Sequence, residues 1–114
     1  MPKHILVVED DPLVSLVLEN YLEALGVEVV GCAEDVAASL HKIATLTIDA
    51  ALVDIHLANG ETSEAVIAAL KAAGIPFVVM TGGSLNSDKA MTAGAPVLIK
   101  PFTLAQFEQA LNHI

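Results

Sequence analysis

The order of apolar and polar positions sets out a chain of alternating strands and helices. Ile5-Leu-Val-Val8 is an unbroken aliphatic run and reads as a buried strand. Pro12 suits the first turn of a helix. Val14, Val17, Leu18, Tyr21, Leu22 and Leu25 then recur at helical spacing, and Gly26 is placed to stop that helix. Val27 to Gly31 predicts a second strand. Ala37, Leu40, Ile43 and Ala44 give a second helix, and Ala50 to Asp54 a third strand that ends in an acid. Asn59-Gly60 is a turn. Val66, Ile67, Leu70 and Ala73 form a third helical face stopped by Gly74, and Pro76 to Met80 is a fourth strand. The stretch from Thr81 to Gly94 is polar and glycine-rich, with a short helix at most near Lys89 to Ala93. Val97 to Ile99 is a fifth strand. In the last helix Thr103 and Gln106 have capping-box spacing, and Phe102 and Phe107 have staple spacing.

Strand followed by helix, five times over, is an α/β pattern. Strands that are aliphatic throughout, without alternation, require cover on both faces and so a parallel sheet. Right-handed crossovers then leave a doubly wound five-stranded sheet with helices on both faces. The expected organisation is one domain over residues 1–114. In such folds ligands bind beyond the carboxyl ends of the strands.

Those ends carry the chain's chemistry. Glu9, Asp10 and Asp11 follow the first strand, Asp54 ends the third, Thr81-Gly82-Gly83 follows the fourth and Lys100-Pro101 the fifth. Carboxylates crowded together repel and need a cation to stay ionised, and hard oxygen ligands suit Mg²⁺. A carboxylate beside a metal and a lysine can act as a nucleophile towards phosphorus. Thr81 can hydrogen-bond a phosphoryl oxygen, and glycine at 82 leaves room for it. Taken singly, each residue has a plainer reading: Asp11 before Pro12 as a helix cap, Lys100 as a surface lysine. Taken together the plain readings fail, because four loops on one rim each bring what phosphoryl chemistry needs.

Composition narrows the partners. Hydrophobic residues make up 54% of the 114, which excludes a disordered chain. Tyr21, Phe77, Phe102 and Phe107 are the only aromatics, so the core is mostly aliphatic. The net charge is -9, and all five basic residues are lysines. Nucleic acid and anionic membrane surfaces are therefore poor partners, whereas a cation or a basic partner fits. Cys32 is the only cysteine, so there is no internal disulfide. No signal peptide or membrane-spanning run is present, and a cytoplasmic location is expected.

Ile5-Leu-Val-Val-Glu-Asp-Asp-Pro12, Ala51-Leu-Val-Asp-Ile55, Val79-Met-Thr-Gly82 and Ile99-Lys-Pro-Phe102 together resemble the response-regulator receiver family of two-component signalling. The resemblance spans the whole chain. It implies a flavodoxin-like receiver fold with strand order 2-1-3-4-5 and, on this chain's spacing, a short fourth helix. It implies that Asp54 accepts a phosphoryl group from a histidine kinase or histidine phosphotransfer protein. Mg²⁺ would be held by Glu9, Asp10, Asp54 and the backbone carbonyl of His56. Thr81 would be the switch hydroxyl, and Lys100, with a cis bond to Pro101, the phosphate-contacting lysine. The chain would be a signalling phosphoacceptor, not an enzyme, acting only on its own phosphorylation and dephosphorylation and switching the binding of a downstream protein. Part of the first-helix stripe docks kinase helices in this family, which nominates Leu13, Val14, Val17 and Tyr21, with Pro101 and Phe102. Leu13 and Leu16 lie off the most apolar face, as a partner surface would.

Three departures bear on output. Val97 stands where the family usually has a rotating aromatic, and Ala58 replaces the usual proline after the acceptor. The segment from Thr81 to Lys100 is a few residues short. Val97 cannot signal by turning a ring, so the signal is expected to leave through Gly82 to Asp88 and the short helix after it. The chain ends one helix after Lys100, so no effector domain is expected to follow. Two rival readings of the same rim fit less well. An aspartate-nucleophile phosphatase needs aspartates two apart, where Glu9 takes the first place, and a late acidic pair, where only Glu108 follows Lys100. A phosphorylation-independent module on the same fold leaves the acidic pair, Asp54, Thr81 and Lys100 without a purpose.

Overall fold

The computed structural model describes residues 2–82 and 94–114. Its elements are β1 (His4–Val8), α1 (Pro12–Ala24), β2 (Glu28–Ala33), α2 (Val36–Thr45), β3 (Ala50–Asp54), α3 (Glu64–Ala72), β4 (Phe77–Thr81), β5 (Val97–Ile99) and α4 (Leu104–Leu111). The five strands form one parallel sheet in the order β2-β1-β3-β4-β5, as the receiver resemblance implies. The short helix expected near Lys89 to Ala93, and most of the segment expected to carry the signal, lie outside the described residues.

Burial follows position in the sheet. Every residue of β3 and β4 is buried, as are Ile5 to Val8 of β1, while edge strands β2 and β5 are only partly covered. Alternate residues of each central strand face opposite layers. Ile5, Val7, Leu52, Val78 and Met80 pack with Leu18 and Leu22 of α1 and with Phe107 and Leu111 of α4. Leu6, Val8, Val53 and Val79 pack with Val66, Ile67 and Leu70 of α3 and with Val36 and Ile43 of α2. Each fully buried aliphatic side chain contributes about 1.5–3 kcal/mol relative to exposure.

The helix signals act as their residue types require. The Asp11 carboxylate accepts from Leu13 N–H at 2.9 Å and caps α1. Thr103 and Gln106 form the reciprocal capping box of α4, with hydrogen bonds of 3.1 and 2.9 Å. The Phe102 and Phe107 rings stack at 5.9 Å, and Tyr21 meets both at 6.4 and 5.5 Å, pinning α1 to α4. Gly26 and Gly74 take φ of 74° and 71° just past their helices, the left-handed conformation that only glycine adopts cheaply.

Some expected positions shift. The buried side of α2 is Val36, Ser39 and Ile43, while Ala37, Leu40 and Ala44 are exposed. Ser39 hides on the inner face by donating its hydroxyl to the Asp35 carbonyl at 2.7 Å, so the buried side does not follow the apolar period. Val17 and Ala73 are exposed as well, on the outer edges of their stripes. β2 runs to Ala33, because its register against β1 slips by one between Ile5 and Leu6. β4 takes in Thr81. Among the described residues no helix is long and apolar enough to cross a membrane.

Candidate functional site

Parallel register brings the strand ends level. Val8 pairs with Ala33 on one side and Val53 on the other, Asp54 with Met80, and Thr81 with Ile99. Backbone hydrogen bonds carry the ladder one residue further: Glu9 N–H donates to the Ala33 carbonyl at 2.9 Å, and Lys100 N–H to the Thr81 carbonyl at 2.8 Å. Glu9, Asp54 and Lys100 therefore leave β1, β3 and β5 on one rim. The chain turns from β2 on one side of β1 to β3 on the other, so this rim is also the topological switch point.

At the centre of the rim the Lys100 ammonium donates to Asp54 Oδ2 at 2.8 Å and to Glu9 Oε2 at 3.1 Å. Glu9, Asp54 and Thr81 are buried. Carboxylate oxygens of Glu9, Asp10 and Asp54 come within 4.8 Å of one another, the spacing of oxygens around one cation, and Asp10 is the most accessible of the three. Asp11, expected on the same rim, instead spends its side chain on the α1 cap, and its N–H donates to Glu9 Oε1 at 3.3 Å. His56 follows Asp54 closely enough for its N–H to reach Asp54 Oδ1 at 3.4 Å. The Lys100–Pro101 bond is cis. A Cβ built on Gly82 would meet Lys100 Cβ at 4.0 Å, an ordinary contact, so the space in front of Lys100 does not itself demand glycine.

The electrostatics follow from burial and crowding. Burial, then the Asp54 carboxylate, push the Glu9 carboxyl up to about 7 from 4.5 against the pull of Lys100. For Lys100, burial disfavours the ammonium, but its bonds to Asp54 and Glu9 outweigh this and raise it above the usual lysine value. Two carboxylates and one ammonium thus leave a buried excess of negative charge, which a divalent cation would neutralise. The sequence placed Glu9 with the metal ligands only. Its bond to Lys100, 91 residues away, has no local signal.

The docking candidates divide. Leu13, Leu16 and Val17 are exposed to 73, 53 and 45%, and Pro101 is exposed. Val14, Tyr21 and Phe102 pack against the core. Cys32, on β2, donates its thiol to Glu19 at 3.2 Å. Burial and that carboxylate push the thiol up to about 11, so at neutral pH it is a thiol and not a thiolate.

Residues 5–112 match the response regulator receiver domain family. The solution structure of SdrG from Sphingomonas melonis Fr1 superposes with a TM-score of 0.87, is 44% identical and covers 96% of this chain and 93% of that one. The receiver domain of sensor histidine kinase PA1611 from Pseudomonas aeruginosa PAO1, solved with magnesium coordinated in its active-site cleft, gives 0.85 and 26% identity, over 99% of this chain and 97% of its own. The transcriptional regulatory protein MalR of Bacillus subtilis is 30% identical over 96% of this chain and 48% of its own length. The chain thus spans about half the length of that curated relative. The motifs on the rim, the strand order and these matches agree: the chain belongs to the response regulator receiver domain family.

Proposed function

We propose that this chain is a phosphoacceptor. A phosphohistidine of a histidine kinase or histidine phosphotransfer protein gives its phosphoryl group to Asp54, and the modified chain changes its binding to a downstream protein in the cytoplasm. The observation that carries the reading is the Lys100 ammonium 2.8 Å from Asp54 Oδ2, beside carboxylates of Glu9 and Asp10 within 4.8 Å.

Each residue has a part in the transfer. A carboxylate oxygen of Asp54 attacks phosphorus; the O–P bond forms as the donor's N–P bond breaks, and the electron pair stays on the imidazole nitrogen. Asp54 is aimed by its place at the end of the central strand and by Lys100. As charge gathers on the phosphoryl oxygens, Lys100 can turn from Asp54 to one of them. Thr81, at the end of β4, offers a hydroxyl to another. Glu9, Asp10 and Asp54, with the carbonyl of His56, fit Mg²⁺, because their oxygens are hard, crowded and short of positive charge. When bound, that ion screens the carboxylates from the incoming phosphoryl oxygens. The receiver of PA1611 holds magnesium in its own active-site cleft, and SdrG has a BeF3-activated form, which supports the reading. Hydrolysis of the acyl phosphate at the same site returns the chain to its resting state.

Intact-protein mass spectrometry after incubation with acetyl phosphate tests this. One phosphoryl group should add in the presence of Mg²⁺ and none after chelation, and Asp54→Asn should stay unmodified. Undiminished labelling of Asp54→Asn would overturn the assignment.

A further inference from the structure

The segment that leaves Asp54 folds back on itself before α3 begins. Ser63 N–H donates to the Ile55 carbonyl at 2.8 Å, and Leu57 N–H to the Glu61 carbonyl at 2.9 Å. At the tip Asn59 and Gly60 take φ of 63° and 72°, the geometry of a two-residue hairpin turn. The two bonds flank the pair His56 and Thr62. In an antiparallel pair flanked in this way, the N–H and carbonyl of each residue point away from the facing strand. His56 therefore turns its backbone out of the hairpin, and its N–H reaches Asp54 Oδ1 at 3.4 Å.

The corner between β2 and α2 braces this hairpin. Ala58 N–H donates to the Glu34 carbonyl at 3.2 Å, a bond that a proline at 58 could not make. Glu61 Oε1 accepts from Val36 N–H at 3.0 Å, across 25 residues of chain. Helix α2 is thus capped twice, by its own Asp35, which takes the Ala38 N–H at 2.8 Å, and by a carboxylate brought in from the hairpin. Leu57 and Val36 pack in the same core layer beneath the two bonds. The corner also holds the end of β1, since the Ala33 carbonyl accepts the Glu9 N–H at 2.9 Å. One short stretch of backbone therefore fixes both the Glu9 segment and the His56 segment.

We propose that Glu61 is a positioning residue of the acceptor site: its carboxylate clamps the hairpin to the start of α2 and so holds the His56 carbonyl where it can serve Mg²⁺. Glu61 is not one of the carboxylates gathered at the rim, so it acts through the backbone it ties down. The inference rests on the reading of the rim as a Mg²⁺-dependent acceptor. Without the clamp the hairpin samples other positions, and the ion binds more weakly in proportion to the time His56 is out of place. By reciprocity, Mg²⁺ on the rim tightens the clamp.

Calorimetric Mg²⁺ titrations of the parent and three variants test this. Glu61→Ala should weaken Mg²⁺ binding about tenfold, the usual effect of losing a group that orients a ligand. Glu61→Gln keeps an acceptor oxygen for Val36 N–H and should stay close to the parent. Asp35→Ala removes the local cap of the same helix and should lower the urea midpoint while Mg²⁺ affinity holds. In the unaltered protein, Mg²⁺ should slow hydrogen exchange at the Val36 and Ala58 amides and leave Ala38 unmoved. Equal Mg²⁺ affinity in Glu61→Ala and the parent would overturn the inference, as would a loss in Glu61→Gln or Asp35→Ala as large as in Glu61→Ala. Exchange at Val36 and Ala58 indifferent to Mg²⁺ would overturn it too, without any variant. A parent that binds no Mg²⁺ would overturn the metal reading and this inference with it. Failure of Asp54 to label while Mg²⁺ affinity still follows Glu61 would overturn the acceptor reading and leave the clamp standing.

Discussion

Each end of β1 holds one basic side chain between two carboxylates. At its start, His4 Nδ1 lies 3.0 Å from Asp49 Oδ2 and Nε2 lies 3.6 Å from Glu28. Just past its other end, Lys100 lies 2.8 Å from Asp54 and 3.1 Å from Glu9. The distances are close, but the surroundings are not. Glu28 and Asp49 stand in water, where an ion pair gains little and salt screens it. Glu9 and Asp54 are buried, so their charges cannot be solvated and each depends on its neighbours. The outer cluster pins a strand end: Asp49 also accepts from the backbone N–H groups of Lys3 and His4. The inner cluster is a charge imbalance, and that imbalance is what makes it a site.

Removing the cation should separate the two ends most. Lys100→Ala leaves two buried carboxylates facing each other and should cost about 3 kcal/mol at pH 8 without metal, measured by urea unfolding. The loss should shrink at lower pH, as Glu9 takes up a proton.

Removing an anion from the same cluster should have the opposite sign. Glu9 has a folded value near 7 against 4.5 for the exposed group, so the folded chain binds its proton more tightly than the unfolded chain. Ionised Glu9 therefore destabilises the fold above pH 7, and that penalty is relieved as pH falls from 7 towards 4.5. Without metal, Glu9→Gln should be more stable than the parent by up to about 3 kcal/mol above pH 7, with the gap closing by pH 4.5. Added Mg²⁺ should stabilise the parent more than the variant.

A buried polar group without charge gives a smaller effect. Ser63 Oγ, at the start of α3, is buried and, among the described residues, has no hydrogen-bond partner. Ser63→Ala should leave stability unchanged or raise it by about 1 kcal/mol. At the outer cluster, where the pair stands in water, His4→Gln should shift the unfolding midpoint only slightly. Asp49 is held below its ordinary value chiefly by its hydrogen bond with His4, so whatever it contributes is present above that ordinary value and is lost as acid protonates it.

How much of this was legible depended on whether the signal was local. Runs such as Leu6 to Val8 and Ala51 to Val53 declared buried parallel strands, and Asp11, Thr103, Gly26 and Gly74 marked helix ends by chemistry confined to one turn. The helix α2 is legible but its buried side is not, since a serine that satisfies its own hydroxyl against Asp35 looks polar in sequence and is buried in the fold. The slip in β2 was missed because one extra residue in an edge strand leaves the apolar pattern almost unchanged. On the rim, the residue types of Glu9, Asp10, Asp54, Thr81 and Lys100 stood out, but their pairing did not. That Lys100 bridges Glu9 and Asp54 follows from register across strands distant in the chain, which composition does not encode.

The most direct test compares the two ends of β1 in one spectrum. Beryllofluoride, the phosphoryl mimic found in the activated form of the SdrG relative, is added to ¹⁵N-labelled protein with and without Mg²⁺. The account predicts amide shifts at Glu9, Asp10, Asp54, His56 and Lys100 only when Mg²⁺ is present, with His4, Glu28 and Asp49 unmoved. An unchanged rim, or shifts of equal size at His4 and Glu28, would contradict it.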